Sequence, residues 1–97
     1  MRIIALEREV GSATADDYTS HAEAKARVLH ELYQAGVVRE MYFRIEREQA
    51  VLLLEAADNN DASKSLAQLP FVRHGLIEFE LIPLRPYPGF QRLFTGS

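Results

Sequence analysis

The sequence predicts an α+β domain in which a four-stranded antiparallel sheet carries two helices on one of its faces. Three features of the 97 residues support this prediction. Two stretches have helical periodicity, four shorter stretches have the apolar character of strands, and each helix stands between two strands. The chain is long enough for one domain and too short for two. We therefore treat residues 1–97 as a single domain, with a core over 1–84 and a C-terminal arm over 85–97.

The first half of the chain is expected to contain a strand, a long helix and a second strand. Residues 2–8 form a short apolar run, which is typical of a strand. Thr14 followed by Asp17 has the pattern of a capping box, and Gly36 supplies a C-terminal stop. Between these signals, apolar residues recur at helical spacing at Ala22, Ala26, Leu29, Leu32 and Tyr33. Residues 37–46 then alternate between apolar and charged side chains, which predicts the second strand.

The second half repeats this pattern with a shorter helix. Residues 49–57 contain the run 51–54, which is apolar at every position and therefore expected to be covered on both faces. The loop before this strand is short enough for a hairpin. Asp58 is the expected cap of the second helix, Pro70 ends it, and residues 76–84 form the last strand. The resulting order βαββαβ is that of the ferredoxin-like fold.

Composition argues against several classes of partner. The net charge is −3 and charges of both signs are interspersed, so no basic stripe for nucleic acid is present. The apolar start of the chain is too short for a signal peptide or a membrane span. Absence of cysteine is consistent with a reducing compartment, and we expect a cytoplasmic protein. His21, His30 and His74 lack metal-ligand spacing, and no phosphate-binding glycine loop is present, so neither a metal nor a cofactor is expected.

The sheet and the arm predict a partner subunit. The sheet face opposite the helices carries many large apolar residues, and water is not a suitable contact for such a face. Three prolines, Pro83, Pro86 and Pro88, prevent the arm from continuing the sheet. The large apolar side chains of the arm are Tyr87, Phe90, Leu93 and Phe94. We therefore expect a homodimer or a higher homo-oligomer, formed by sheet-on-sheet packing with the arm on a neighbouring subunit.

The first helix and the second strand carry the candidate site residues. His21 and Lys25 lie one turn apart beside the apolar stripe, with Tyr18 one turn earlier. In such a position His21 could take a proton from carbon, and Lys25 could stabilise an anionic substrate. Arg44 could bind a carboxylate through two parallel hydrogen bonds. We predict one cavity for a small-molecule ligand, with His21 and Lys25 as catalytic residues and Tyr18 and Arg44 as substrate-binding residues.

Each candidate also has a structural alternative. The helix edge with His21 and Lys25 could be an ordinary solvated surface. Arg44 could pair with a glutamate across the sheet or contact a partner subunit. Glu78 and Glu80 share one face of the last strand, where they could act as an acid/base pair or only give an edge strand its charge.

Two segments resemble a known family. One is Gly36-Val-Val-Arg-Glu-Met-Tyr-Phe-Arg-Ile, and the other is Leu69-Pro-Phe with the following Ile77-Glu-Phe-Glu-Leu-Ile-Pro-Leu. With the length and the element order, they resemble the muconolactone isomerase-like family of dimeric α/β barrels. The resemblance implies a homo-oligomer that isomerises a small lactone or carboxylate by acid/base catalysis without a cofactor, as in aromatic catabolism. A non-catalytic small-molecule-binding or assembly domain and a cofactor-free monooxygenase are alternatives, because ferredoxin-like folds host many functions.

Overall fold

The computed structural model describes residues 1–11 and 14–95 and confirms the α+β class. The sheet consists of β1 (Arg2–Glu9), β2 (Val38–Phe43), β3 (Ala50–Glu55) and β4 (Ile77–Pro83). The helices are α1 (Ala15–Gln34), α2 (Asn59–Leu66), α3 (Pro70–Arg73) and α4 (Gln91–Thr95). The short helices α3 and α4 are additions to the predicted elements. None of the helices in the described ranges has the length and apolar character needed to cross a membrane.

The strands are arranged as in a ferredoxin-like fold. Their order across the sheet is β2-β3-β1-β4, and every neighbouring pair is antiparallel. The order βαββαβ along the chain is kept, with α3 added before the last strand. Strands β1 and β3 lie at the centre of the sheet, so the helices pack on their inward side chains.

Helix α1 is fixed at both ends by the signals that the sequence contains. The Thr14 hydroxyl accepts a hydrogen bond from the Asp17 amide at 3.2 Å, and the Asp17 carboxylate accepts one from the Thr14 amide at 2.8 Å. The Thr14 amide and hydroxyl both donate to the Asp17 carboxylate, which holds the pKa of Asp17 below its usual value. At the other end Gly36 has a φ of 82°, and the Val37 amide donates to the Leu32 carbonyl at 2.9 Å. This left-handed turn ends the helix and directs the chain into β2.

The core lies between the sheet and the helices. Alternation along β1 places Ile3, Ala5 and Glu7 on the helix-covered face. The largest fully buried side chains are Ile3, Val38, Leu52, Leu54 and Leu69. Glu7 continues the inward series of β1 but is a carboxylate, so the core ends in a charged group at this end of the sheet.

The opposite face of the sheet is apolar at its centre. Ile4, Leu6, Val51 and Leu53 share this side, because Ile4 pairs with Leu53 and Leu6 with Val51 across the strands. We call these four residues the open face. All four are half-buried in the single chain, so β3 is fully covered on one face and cover of its other face stays a prediction. Charged residues surround the open face, as in the Arg8–Glu78 ion pair at 3.0 Å.

The arm extends away from the core. Its large apolar side chains are 65–84% exposed, namely Tyr87, Phe90, Leu93 and Phe94. The long dimension of the molecule is 59 Å, whereas a helix of the length of α1 spans only about 30 Å. The arm therefore accounts for the elongated shape, and its apolar side chains are available to another surface.

Candidate functional site

A cavity of about 640 Å³ lies between the N-terminal half of α1 and the far end of the sheet. This volume is within the range of about 300–1,000 Å³ that is usual for small-molecule sites. The apolar part of the wall comprises Ala22, Ala26, Leu29, Phe43 and Phe71. Arg47 and Glu48 of the β2–β3 loop also line the cavity, and both are exposed. Ala22, Ala26 and Phe43 are exposed as well, so the cavity is an open cleft with a mixed apolar and charged lining.

Two buried charges face each other on the cavity wall. The Lys25 ammonium nitrogen, Nζ, lies 3.0 Å from Oε1 of Glu7, and the two side chains are only 11% and 3% exposed. Among the described residues, Glu7 and Lys25 are the charged side chains that are buried. Taking two ions out of water is expensive, and an ion pair recovers this cost only with good geometry. A buried pair of titratable groups on the wall of a cavity is a candidate functional site.

Two aromatic rings complete the surroundings of Lys25. Its Nζ lies 4.8 Å from the ring centroid of Phe71 and 5.7 Å from that of Phe43. A cation over the face of a ring is attracted by the negative charge of the ring face. The ammonium group is therefore held by one carboxylate and two rings, all of which also line the cavity.

Tyr18 supplies a neutral donor to the same cavity. Its hydroxyl lies 3.5 Å from the carbonyl oxygen of Leu76, at the long end of the hydrogen-bond range, and its ring meets that of Phe71 edge to face. Burial raises the pKa of Tyr18, and the negative charges of Glu9 and Glu7 raise it further. The phenol therefore stays protonated at neutral pH, and its weak bond to Leu76 can be exchanged for one to a ligand.

The other two predicted site residues are not part of the cavity lining. The His21 ring stacks on the His74 ring at a centroid distance of 4.5 Å, and its contact with Phe71 is at 6.2 Å. Strand β2 ends at Phe43, earlier than predicted, so Arg44 lies in the loop, where its nearest carboxylate is Glu46 at 3.6 Å. The structure thus brings Tyr18 and Lys25 together at the cavity and places His21 and Arg44 elsewhere. Their roles stay predictions.

The sequence contains a signal for Glu7, which is not among the predicted site residues. Alternation from Ile3 through Ala5 puts position 7 on the inward face of the first strand, where a carboxylate is unusual. Phe71 was not predicted as a site residue, because it lies on α3, and Pro70 was interpreted only as the end of the preceding helix. Glu78 and Glu80, the candidate acid/base pair on β4, do not line the cavity. Glu78 forms an ion pair with Arg8 on the surface.

No family model matches the chain, and no curated protein matches it. In the described ranges, no group of three histidine, cysteine, aspartate or glutamate side chains could hold a metal ion. The functional interpretation therefore depends on the cavity and its buried ion pair.

Proposed function

We propose that the chain is a small-molecule enzyme of the muconolactone isomerase-like type, which isomerises a small lactone or carboxylate by acid/base catalysis without a cofactor. One observation carries the proposal: the buried Glu7–Lys25 pair lies on the wall of a cavity of small-molecule size. Ionisable groups that line a cleft are candidates for proton transfer, because a molecule bound in the cleft lies next to them.

The ion pair would act as a unit in proton transfer. Glu7 accepts a proton from the carbon beside the substrate carbonyl, and the negative charge moves to the carbonyl oxygen. Lys25 lies 3.0 Å from the Glu7 oxygen and stabilises the charge in both places. The charge moves between two oxygens near the same ammonium group, so no unpaired charge arises beside the buried pair. Return of the proton to a different carbon completes an isomerisation. Glu7 thus takes the role of proton acceptor that was predicted for His21.

Two further groups are placed to bind the oxygens of the substrate. The protonated Tyr18 hydroxyl is a donor on the cavity wall, next to the ion pair. Arg47 lines the cavity at its mouth and forms none of the salt bridges within the described residues. We propose that Arg47, rather than the neighbouring Arg44, binds a substrate carboxylate. Its guanidinium group offers the two parallel donors that a carboxylate requires.

A panel of small lactones and carboxylates tests this use of the cavity by thermal shift. A ligand that binds the folded state at about 100 times its Kd stabilises it by about 2.7 kcal/mol, which raises the melting temperature by several degrees. Substitution Ala22→Phe places a ring in the cavity and should abolish the shift. The control Glu23→Phe places the same ring one position along α1, at an exposed position outside the lining, and should retain it.

The panel can also contradict the proposal. An equal shift in the Ala22→Phe variant would show that the ligand binds elsewhere. Ligands that bind the wild type and are not converted, as followed by NMR, would favour the alternative of a non-catalytic small-molecule-binding domain.

We also propose that the open face forms a homodimer, as a dimeric α/β barrel does. Ile4, Leu6, Val51 and Leu53 form an apolar centre with a charged surround, which is the usual pattern of an interface. In a two-fold dimer the same patch faces itself, so a patch that is apolar at its centre is self-complementary. Two sheets packed face to face lie about 10 Å apart and share one core.

The arm is expected to strengthen this assembly. Removing the residues after Arg85 should lower the melting temperature and weaken dimerisation, because burial of each large apolar side chain of the arm contributes about 1.5–3 kcal/mol if complete. In the single chain these side chains are exposed, so the truncation should destabilise the dimer and leave the stability of the monomer unchanged. Sedimentation at micromolar concentration measures the effect, with the exposed-charge variant Arg92→Ala as control. Unchanged sedimentation of the shortened chain would exclude a role for the arm in assembly.

A further inference from the structure

We propose that Lys25 forms a covalent imine with a small aldehyde or ketone that enters the cavity. The inference rests on the proposed use of the cavity as a substrate site, but it does not require an isomerisation. It adds a nucleophilic role to a residue that otherwise acts only through its charge.

Lys25 combines access from the cavity with a proton acceptor beside its nitrogen. Its side chain is 11% exposed, and the cavity gives a small molecule access to it. Imine formation needs a group that takes a proton from the lysine ammonium and later returns it to the leaving hydroxyl. Glu7 is such a group, because its Oε1 lies 3.0 Å from Nζ and its own side chain is 3% exposed.

The step balances with the groups that are present. The Lys25 ammonium gives one proton to the Glu7 carboxylate, and the free amine attacks the carbonyl carbon to form a carbon–nitrogen bond. The carbonyl oxygen takes a proton from the attacking nitrogen and becomes a hydroxyl. Glu7 then returns its proton to this hydroxyl, which leaves as water while the carbon–nitrogen double bond forms. The product is a protonated imine beside an ionised Glu7, so the net charge of the pair is unchanged.

The same surroundings stabilise the product. The protonated imine carries its positive charge at the nitrogen of Lys25, close to the Glu7 carboxylate and to the rings of Phe71 and Phe43. These groups stabilise the ammonium ion and the imine cation alike, so the positive charge stays paired through the reaction. The apolar wall around Ala22 and Leu29 suits a neutral carbonyl compound with a short hydrocarbon body.

Trapping with cyanoborohydride tests the proposal on the intact protein. Lys25 and Lys64 are the only lysines of the sequence, and Lys64 is exposed in the last turn of α2. The protein is treated with propanal or acetone and the reductant, digested, and the alkylated peptides are quantified by mass spectrometry. Lys25 should be alkylated at least about a hundredfold faster than Lys64, because acid/base assistance usually contributes about 10²–10⁴-fold. Alkylation of Lys25 at or below the rate of Lys64 would overturn the proposal.

Two variants connect the reaction to the cavity. Ala22→Phe should slow alkylation of Lys25 to the rate of Lys64, whereas Glu23→Phe should leave it fast. Equal rates at Lys25 in these two variants would contradict the proposal, because the adduct would then not depend on the cavity. If Lys25 fails to react and a lactone is still isomerised, imine formation is excluded and the proposed function stands. If Lys25 reacts and no lactone or carboxylate is converted, the imine is supported and the isomerase function fails.

Discussion

Replacing Glu7 alone by leucine is expected to lower the free energy of unfolding by about 3–5 kcal/mol, because it leaves the Lys25 charge buried without a partner. This is a large part of the total stability of about 5–15 kcal/mol that is usual for a domain. Replacing both residues, as in Glu7→Leu with Lys25→Met, should be close to neutral or stabilising by up to about 4 kcal/mol, because no buried charge remains. Urea denaturation of the wild type, both single variants and the double variant measures these differences.

A surface ion pair provides the control for this prediction. Arg8 and Glu78 lie 3.0 Å apart, as close as the buried pair, but their side chains are 57% and 56% exposed. Breaking this pair by Glu78→Gln should change the stability by no more than about 1 kcal/mol. A double variant at positions 7 and 25 that is as unstable as the single Glu7→Leu variant would show that burial of the charges is not the cause. The double variant should also lose conversion, since it removes both proposed catalytic groups.

A charge at the centre of the open face is expected to prevent dimerisation. Leu53→Glu introduces one carboxylate in each subunit, and two-fold symmetry brings two of them into the same apolar interface. Burial of unpaired charge costs several kcal/mol, so the dissociation constant should rise at least about a thousandfold, which corresponds to about 4 kcal/mol. Leu53 is only half-buried in the single chain, so the monomer should still fold. Analytical ultracentrifugation measures the effect.

The control for the open face lies on the other side of the molecule. Tyr33→Glu also replaces an exposed large apolar residue by a carboxylate, but on α1, which packs against the opposite face of the sheet. It should leave the dimer intact. A wild-type protein that sediments as a stable monomer at micromolar concentration, or a Leu53→Glu variant that remains dimeric, would contradict the proposed interface.

The order of strands and helices could be predicted from the sequence because each element has local signals. Thr14 and Asp17 form the capping box that their spacing predicts, and Gly36 adopts the left-handed conformation that ends α1. The extra helix α3 lies outside the predicted elements because Pro70 has the pattern of a helix stop. Proline is also favoured in the first turn of a helix, and here it begins one. The end of β2 was misplaced because the alternating pattern continues into the loop beyond Phe43.

The site could be predicted only in part, because helical periodicity gives the side of a helix but not the groups that pack there. Tyr18 and Lys25 were assigned to the cavity from their spacing on α1, and both line it. His21 has nearly the same spacing, but α3 brings Phe71 and His74 against it. The inward position of Glu7 could be predicted from the alternation in β1. Its pairing with Lys25 depends on how α1 lies across the sheet, which no local signal specifies.

Exchange of carbon-bound hydrogen for solvent deuterium tests the acid/base claim most directly. Lactones and carboxylates that bind the protein are incubated with it in deuterated buffer, and the loss of the proton signal beside the carbonyl is followed by NMR. We expect the wild type to catalyse this exchange, Glu7→Gln to slow it by about 10²–10⁴-fold, and the exposed-site control Glu23→Gln to leave it unchanged. Exchange at the wild-type rate in a folded Glu7→Gln variant would contradict the account.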